Sequence, residues 1–382
     1  MTTGIYLDGN ATAPVRPEAM AAVAATLAAG GNPSSVHALG RAARARLEMA
    51  REAVAELIAA PATTVLFTSG GTEANGLAIE SAIAAGARRL IVSALEHDSV
   101  LATARASGVE VEFLPALRSG LVDLDWLAER LTRWDAADGK PFVALMLANN
   151  ETGVIQPVAQ AAELVRTHSG WLHVDAIQAA GKIAIDSRRL SADTLSVSAH
   201  KLGGPMGVGA LTFGPRATLT RRQHGGGQER GRRGGTENLP GIAGFGAAAL
   251  AAVRDLDAFA AQGVWRDAAA ARLQAAGAVV MGEGAPRLAN TLNVATAGYP
   301  SEIQLMALDL AGVMVSAGAA CSSGKAARSV VLDAMGQGEL AACAIRVSGS
   351  WATTEADWTR FAHVWTDAHT RRAARRPQLA KA

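Results

Sequence analysis

Cysteine is nearly missing from this chain: 382 residues carry two, Cys321 and Cys343. No CxxC pair and no nearby histidine accompanies either, so they form neither a metal-ligand set nor a disulfide framework. Reduced thiols in a cytoplasmic protein are the expectation. Long hydrophobic runs are lacking as well, and no uninterrupted apolar stretch is long enough to span a bilayer. The start "MTTGIYLDGN" has neither a basic n-region nor an apolar h-region, which argues against a signal peptide. There is little excess charge of either sign: Lys+Arg number 36, Asp+Glu 34, and the formal net charge is +2. That balance argues against a dedicated nucleic-acid binder, and the basic runs "RRQHGGGQERGRR" and "RRAARR" read as a solvated loop and a terminus.

What is present is apolar and alternating. Hydrophobic residues make up 49% of the chain, enough to bury a sizeable core, and the length suits a large domain plus a smaller one. The runs "TVLFTS", "RLIVSALEH", "VEVEFLP", "PFVALMLANN", "WLHVDA" and "TLSVSAH" each end in polar or glycine-containing residues. Helical spacing fills most gaps between them, as in "TEANGLAIESAIAAG" and "PVAQAAELVRTH". Strands alternating with helices imply a mainly parallel, doubly wound α/β sheet whose ligand lies beyond the strands' carboxyl ends. From about residue 255 the pattern becomes a long helical stretch, short strands and a final helix from about Thr354. The expected division is a large domain over 15–254 and a small α+β domain built from 1–14 and 255–382.

The polar strand ends carry the candidate chemistry. "SGGTEANG" opens a helix after a strand, so Gly71 and Thr72 suit either an anion at free helix amides or a plain N-cap by Thr72. Asp175, in "HVDAIQ", ends an apolar strand three residues before Gln178. Buried there, it needs a cationic partner such as a protonated heteroaromatic nitrogen; otherwise it is an ordinary helix-capping Asp. In "SVSAHKLGGPMGVGAL", Lys201 ends a strand beside Ser198 and His200, where desolvation would lower its pKa and permit Schiff-base chemistry. "GGGQERGRRGGTEN" is a glycine-rich basic loop, a surface loop on its plain reading, whose Thr236 precedes a helix and suits an anion. His97 is a strand-end imidazole that gains weight only from its company. Arg346, alone in the apolar "AIRVSG", needs a carboxylate from the protein or from a substrate. Cys343 reads as a small core residue, whereas Cys321 sits among Ala, Ser and Gly in "VMVSAGAACSSGKAARS", a setting that suits a mobile thiol.

Taken in order, "YLDGNATAPV", "NPSSVHALGRAAR", "FTSGGTEAN", "NNETGVIQP", "HVDAIQ", "SAHKLGGPMGVGAL", "GGGQERGRRGGTEN", "GAACSSG" and "IRVSGS" resemble the cysteine desulfurases. These are class V aminotransferase-like enzymes of pyridoxal 5'-phosphate (PLP) fold type I, and the resemblance runs nearly end to end. It implies a seven-stranded large-domain sheet and a PLP cofactor held by Lys201, which would also move protons at the substrate Cα. Asp175 would pair with the pyridinium nitrogen, Gln178 with the ring hydroxyl, and His97 would stack on the ring and serve sulfur as acid/base. Gly71, Thr72, Ser198 and His200 would hold the phosphate, joined by Thr236 of a neighbouring subunit in a homodimer. Asn150 and Arg346 would bind the carboxylate of L-cysteine, and Cys321 would take its sulfur as a persulfide for an acceptor or scaffold protein, in iron–sulfur cluster assembly. The chain departs from the family pattern at Gly9, Ala13 and Gly234, and at Val330 in "SVVL", where a histidine is customary. A selenocysteine lyase, another class V PLP enzyme, or a non-catalytic scaffold homologue are the alternatives; retention of Lys201, Asp175 and Cys321 weighs against the scaffold.

Overall fold

The computed structural model describes residues 4–318 and 328–379, with side chains as far as residue 374. Its strands are β1 (Ile5–Tyr6), β2 (Val65–Thr68), β3 (Arg89–Ser93), β4 (Glu110–Leu114), β5 (Phe142–Ala144), β6 (Trp171–Asp175), β7 (Thr194–Ser198), β8 (Gly209–Phe213), β9 (Val279–Val280), β10 (Thr291–Ala295), β11 (Val313–Met314) and β12 (Ala344–Ser348). Seven of them form one sheet in the order β2-β8-β7-β6-β5-β3-β4. The pairs from β4 through β7 are parallel, and β8 alone runs antiparallel to both its neighbours. This is the doubly wound, mainly parallel sheet expected from the alternating runs.

Both faces of the sheet are covered, which explains why its strands read as continuous apolar runs rather than as alternating ones. Ile91, Val143, Leu145, Leu172, Val174, Leu195 and Val197 point into one cluster. Their neighbours Leu90, Val92, Phe142, Ala144 and Trp171 point into the opposite one. The strand period of two thus separates a single run into two cores. On the first face the helices Pro17–Ala29 and Ala38–Leu57 pack against Leu239–Arg254. Helices 38–57 and 239–254 approach so closely that a Cβ at Gly246 would stand 2.7 Å from Ala50 Cα.

The C-terminal segments build a separate three-stranded sheet, β12-β10-β9, covered by helices Gln262–Ala275 and Glu355–Leu379. Leu292, Val294, Ile345, Val347, Trp358, Phe361 and Trp365 fill its core. The N-terminal residues return to this region: β1 pairs parallel with β11, and Asp8 bridges Ser348. The long helical stretch expected after residue 254 is divided into Leu256–Ala260 and Gln262–Ala275. The chain turns at Asp255, whose carboxylate receives the buried Arg16 at 2.6 Å. Among the described residues, no single helix is long and apolar enough to cross a membrane.

Candidate active site

The carboxyl ends of β2, β3, β5, β6 and β7 converge on a cavity of about 240 Å³. Gly71, Thr72, His97, Asn150, Asp175, Gln178, Ser198, His200 and Lys201 line it, together with Ala11, Ser99, Met146, Ala148 and Ile177. Nine sequence candidates scattered over 130 positions therefore meet in one place, as the strand-end rule requires. Three do not line it. Arg346 is absent from the lining but donates to the backbone of lining residue Asn150, Thr236 is exposed on another segment, and Cys321 lies outside the described residues.

Asp175 closes the bottom. Its Oδ1 accepts from Ile177 N at 2.9 Å and its Oδ2 from Asn75 Nδ2 at 2.8 Å. Both donors are neutral, and burial raises the carboxyl's pKa, against the opposing pull of these hydrogen bonds and of the His97 and Lys201 charges. A buried carboxylate held this way suits an added cation or N–H partner. Asn75 is fully buried and uses its whole amide. It also donates to Ser99 Oγ at 2.9 Å and accepts from His173 Nε2 at 3.0 Å and from Ser196 Oγ. His173 is held neutral, its pKa pushed down to about 3 by burial. Ser99 extends the relay to His97, whose Nδ1 lies 2.9 Å from Ser99 Oγ and accepts from Ser99 N at 3.0 Å. Because the backbone N–H can only donate, the neutral His97 ring carries its proton on Nε2. His97 is thereby also the N-cap of helix Asp98–Ala106.

A second group of lining residues suits an anion. Helix Gly71–Ala84 starts here with Gly70 as N-cap, not Thr72, and among the described residues no side chain caps its first amides. A Cβ at Gly71 would come within 2.2 Å of Ile177 Cδ1, so glycine keeps this approach open. Ser198, at the end of β7, and exposed Thr72 add hydroxyls. His200 has a pKa lowered to about 4, first by burial and then by the Lys201 charge, and so offers a neutral imidazole. The set as a whole, with a helix N-terminus, two hydroxyls, a neutral imidazole, a buried carboxylate and a lysine amine, fits PLP group by group.

Lys201 follows β7 in the one-turn helix Ala199–Lys201. Its Nζ donates to the carbonyls of Asn10 at 2.6 Å and Ala11 at 2.9 Å. The N-terminal strand segment thus supplies a wall of the site, including several residues that sequence reasoning missed. Asp8 receives Arg346 Nη2 at 2.7 Å and Ser316 Oγ at 2.7 Å, the internal carboxylate that Arg346 required. Arg346 also donates to Asn150 O at 3.3 Å, while its buried Nε has no acceptor among the described residues. On the far side of residues 319–327, Ser329 donates to buried Glu151 at 2.6 Å and caps the helix Val330–Ala334. Cys343 is a free, buried core residue, as its neighbours suggested.

Two features differ from their plain readings. The basic glycine loop is pinned rather than merely solvated: Glu229 is buried and receives Arg51 Nη1 and Nη2 at 2.8 and 2.9 Å, plus Phe67 N at 2.9 Å. Thr236 does not start the next helix, which is capped by the Asn238 side chain accepting from Gly241 N.

Comparison with known proteins agrees with this geometry. The family model described as aminotransferase class-V matches residues 5–361, and the chain belongs to that family. It is 43% identical over 376 residues to a cysteine desulfurase of Cereibacter sphaeroides, covering 94% of each chain. Among solved structures, a NifS-like protein of Rickettsia africae superposes with a TM-score of 0.88 at 29% identity, covering 96% of this chain and 99% of the other. SspA, solved in complex with cysteine, matches with a TM-score of 0.77 at 28% identity, covering 90% and 98%. Within the class V family, then, the chain is a member of the cysteine desulfurases, which are PLP-dependent enzymes.

Proposed function

We propose that the cavity takes L-cysteine and passes its sulfur to Cys321, releasing L-alanine. The carrying observation is the convergence of Lys201, Asp175, His97 and an uncapped helix N-terminus on one cavity. The cysteine bound to the similar SspA supports the substrate. In sum, a thiol and L-cysteine give a persulfide and L-alanine: the substrate C–S bond breaks, an S–S bond forms, and the two electrons of the broken bond stay with carbon, which gains a proton.

PLP, when bound, supplies an electron sink for negative charge at the substrate Cα. Lys201 would hold the cofactor through its amine, then take and return the Cα proton from the same position. Asp175 would face the pyridinium nitrogen as its buried counter-charge, and Gln178 the ring oxygen. Gly71, Thr72, Ser198 and His200 would hold the phosphate. His97, with its proton on Nε2, would cover the ring and deliver or accept a proton at sulfur. Asn150 and Arg346 would bind the substrate carboxylate, and the Nε of Arg346, which has no acceptor among the described residues, supports this role. Thr236 is exposed, which suits a hydroxyl used by a second copy of the chain across a homodimer interface. The divisions at 14 and 254 are supported by the separate core of the C-terminal sheet. A cytoplasmic location and a sulfur acceptor or scaffold of iron–sulfur cluster assembly complete the reading.

The test is spectroscopic and chemical. Purified protein loaded with PLP is expected to show the cofactor's visible band and to form alanine and sulfide from L-cysteine with a reductant present. Cys321→Ser is expected to keep the band and lose sulfide release, and Lys201→Ala to lose the band. Sulfide release by Cys321→Ser at the wild-type rate would overturn the role of that thiol.

A further inference from the structure

Lys182 is a lysine in the protein interior, 5% exposed, that no carboxylate among the described residues bonds. Its Nζ donates to Gln178 Oε1 at 2.8 Å and Asn10 Oδ1 at 2.7 Å. The charged groups acting on it are cations, Lys201 and Arg346, and Arg16 shares a narrow crevice with it. Burial and these charges push its pKa well down. A neutral amine has two N–H groups, the number of acceptors present.

The hydrogen bonds around it fix every amide orientation. Asn10 Oδ1 accepts from Lys182 and from Asn290 Nδ2 at 3.1 Å. Asn10 Nδ2 donates to Asn150 O at 3.1 Å and Thr291 Oγ1 at 3.0 Å. Its carbonyl accepts from Gln178 Nε2 at 2.9 Å and from Lys201 Nζ at 2.6 Å. Turning the Gln178 amide over would set Oε1 against the Asn10 carbonyl and would leave the Lys182 N–H that Oε1 now accepts without that acceptor. With Oε1 and one N–H committed, the second N–H of Nε2 is the polar hydrogen left for the cavity that Gln178 lines.

We propose that Lys182 is a positioning residue: through Gln178 Oε1 it locks the Gln178 amide so that this residue can only donate a hydrogen bond into the cavity, toward an anionic oxygen. This rests on the PLP reading given above, in which Gln178 meets the ring oxygen. A fixed donor favours the anionic oxygen, and thereby lowers the pH at which the bound cofactor's visible absorption changes with protonation. A residue 182 without N–H groups removes one of the two contacts that hold the amide, leaving the Asn10 carbonyl alone to orient it, so that the amide turns more readily and presents its carbonyl for part of the time.

The experiment is a pH titration of the visible absorption of the PLP-loaded enzyme, with circular dichroism and cofactor stoichiometry recorded on every variant. Lys182→Met is expected to raise the midpoint by about one unit, a tenfold change in the protonation constant. Lys182→Gln, which keeps N–H donors in a smaller perturbation, is expected to stay closer to wild type than Lys182→Met. Gln178→Leu should raise the midpoint as well, and adding Lys182→Met to it should change nothing further if Lys182 acts through Gln178. An unmoved midpoint in loaded Lys182→Met, equal shifts in Lys182→Met and Lys182→Gln, or additive shifts in the double variant would overturn the proposal. A wild-type protein that takes up no PLP would instead remove the cofactor reading itself, and the proposal with it.

Discussion

Replacing Asn75 by Leu removes the polar hub behind Asp175 while leaving the volume nearly filled. Asn75 spends both N–H groups, on Asp175 and Ser99, and its oxygen on His173 and Ser196. Asp175 would keep only the Ile177 amide. A hydrogen bond to a charged group is worth about 1.5–3 kcal/mol, so the ionised carboxylate would be less favoured by roughly ten- to hundredfold. Since burial already raises this pKa, the further rise weakens Asp175 as counter-charge to a pyridinium nitrogen. The His173 N–H and the Ser196 hydroxyl would be stranded at about 1–3 kcal/mol each. For 382 residues the unfolding entropy is about 0.8 kcal/mol/K, so a loss of that size lowers Tm by a few degrees. Titrating apoenzyme with PLP by absorbance is expected to show Kd raised about ten- to hundredfold, alongside the small drop in Tm. A Kd within a factor of two of wild type, with Tm lowered, would show Asn75 to be a packing residue and refute the relay to Asp175.

Other expectations follow from buried charge and from pH. Arg51→Met leaves Glu229 buried without its cation and should cost about 3–5 kcal/mol, seen in chemical denaturation; adding Glu229→Gln should restore most of it. No recovery would mean that the Arg51 stem, not its charge, carries the stability. His173 has a folded pKa of about 3, below its unfolded value, so its contribution is complete above the unfolded pKa of about 6.5. It is lost as pH falls from there toward about 3, by up to about 1.4 kcal/mol per unit. Wild type should therefore lose stability on acidification more steeply than His173→Gln, and parallel slopes in urea melts would contradict the assignment.

The sheet was legible because a parallel strand buried on both faces must be apolar along its length and must end in whatever the ligand needs. Reading those ends located Asp175, His97, Ser198 and Lys201 without any knowledge of the fold. The N-terminal wall was not legible. Asp8 and Asn10 act through partners more than 100 positions away, and no local pattern marks a loop residue as the carboxylate for Arg346 or the acceptor for Lys182. Asn75 stood inside a quoted motif, yet its role depends on β6 and β7 lying beneath the helix, which is tertiary information. Lys182 offered one signal, a lysine four residues after Gln178 within an otherwise apolar stretch. Thr236 and the pinned Glu229 show the converse: a glycine-rich basic loop reads as solvated because a single buried salt bridge leaves no trace in composition.

The sulfur itself provides the most direct test. PLP-loaded enzyme is mixed with one equivalent of L-cysteine without reductant, quenched in a thiol-blocking reagent and digested. Alanine is counted, and the peptide holding Cys321 is weighed. The account predicts one alanine per sulfur transferred and a mass increment of one sulfur atom on Cys321, absent from Cys343. Alanine formed with no sulfur on Cys321, or sulfur found on Cys343 instead, would contradict it.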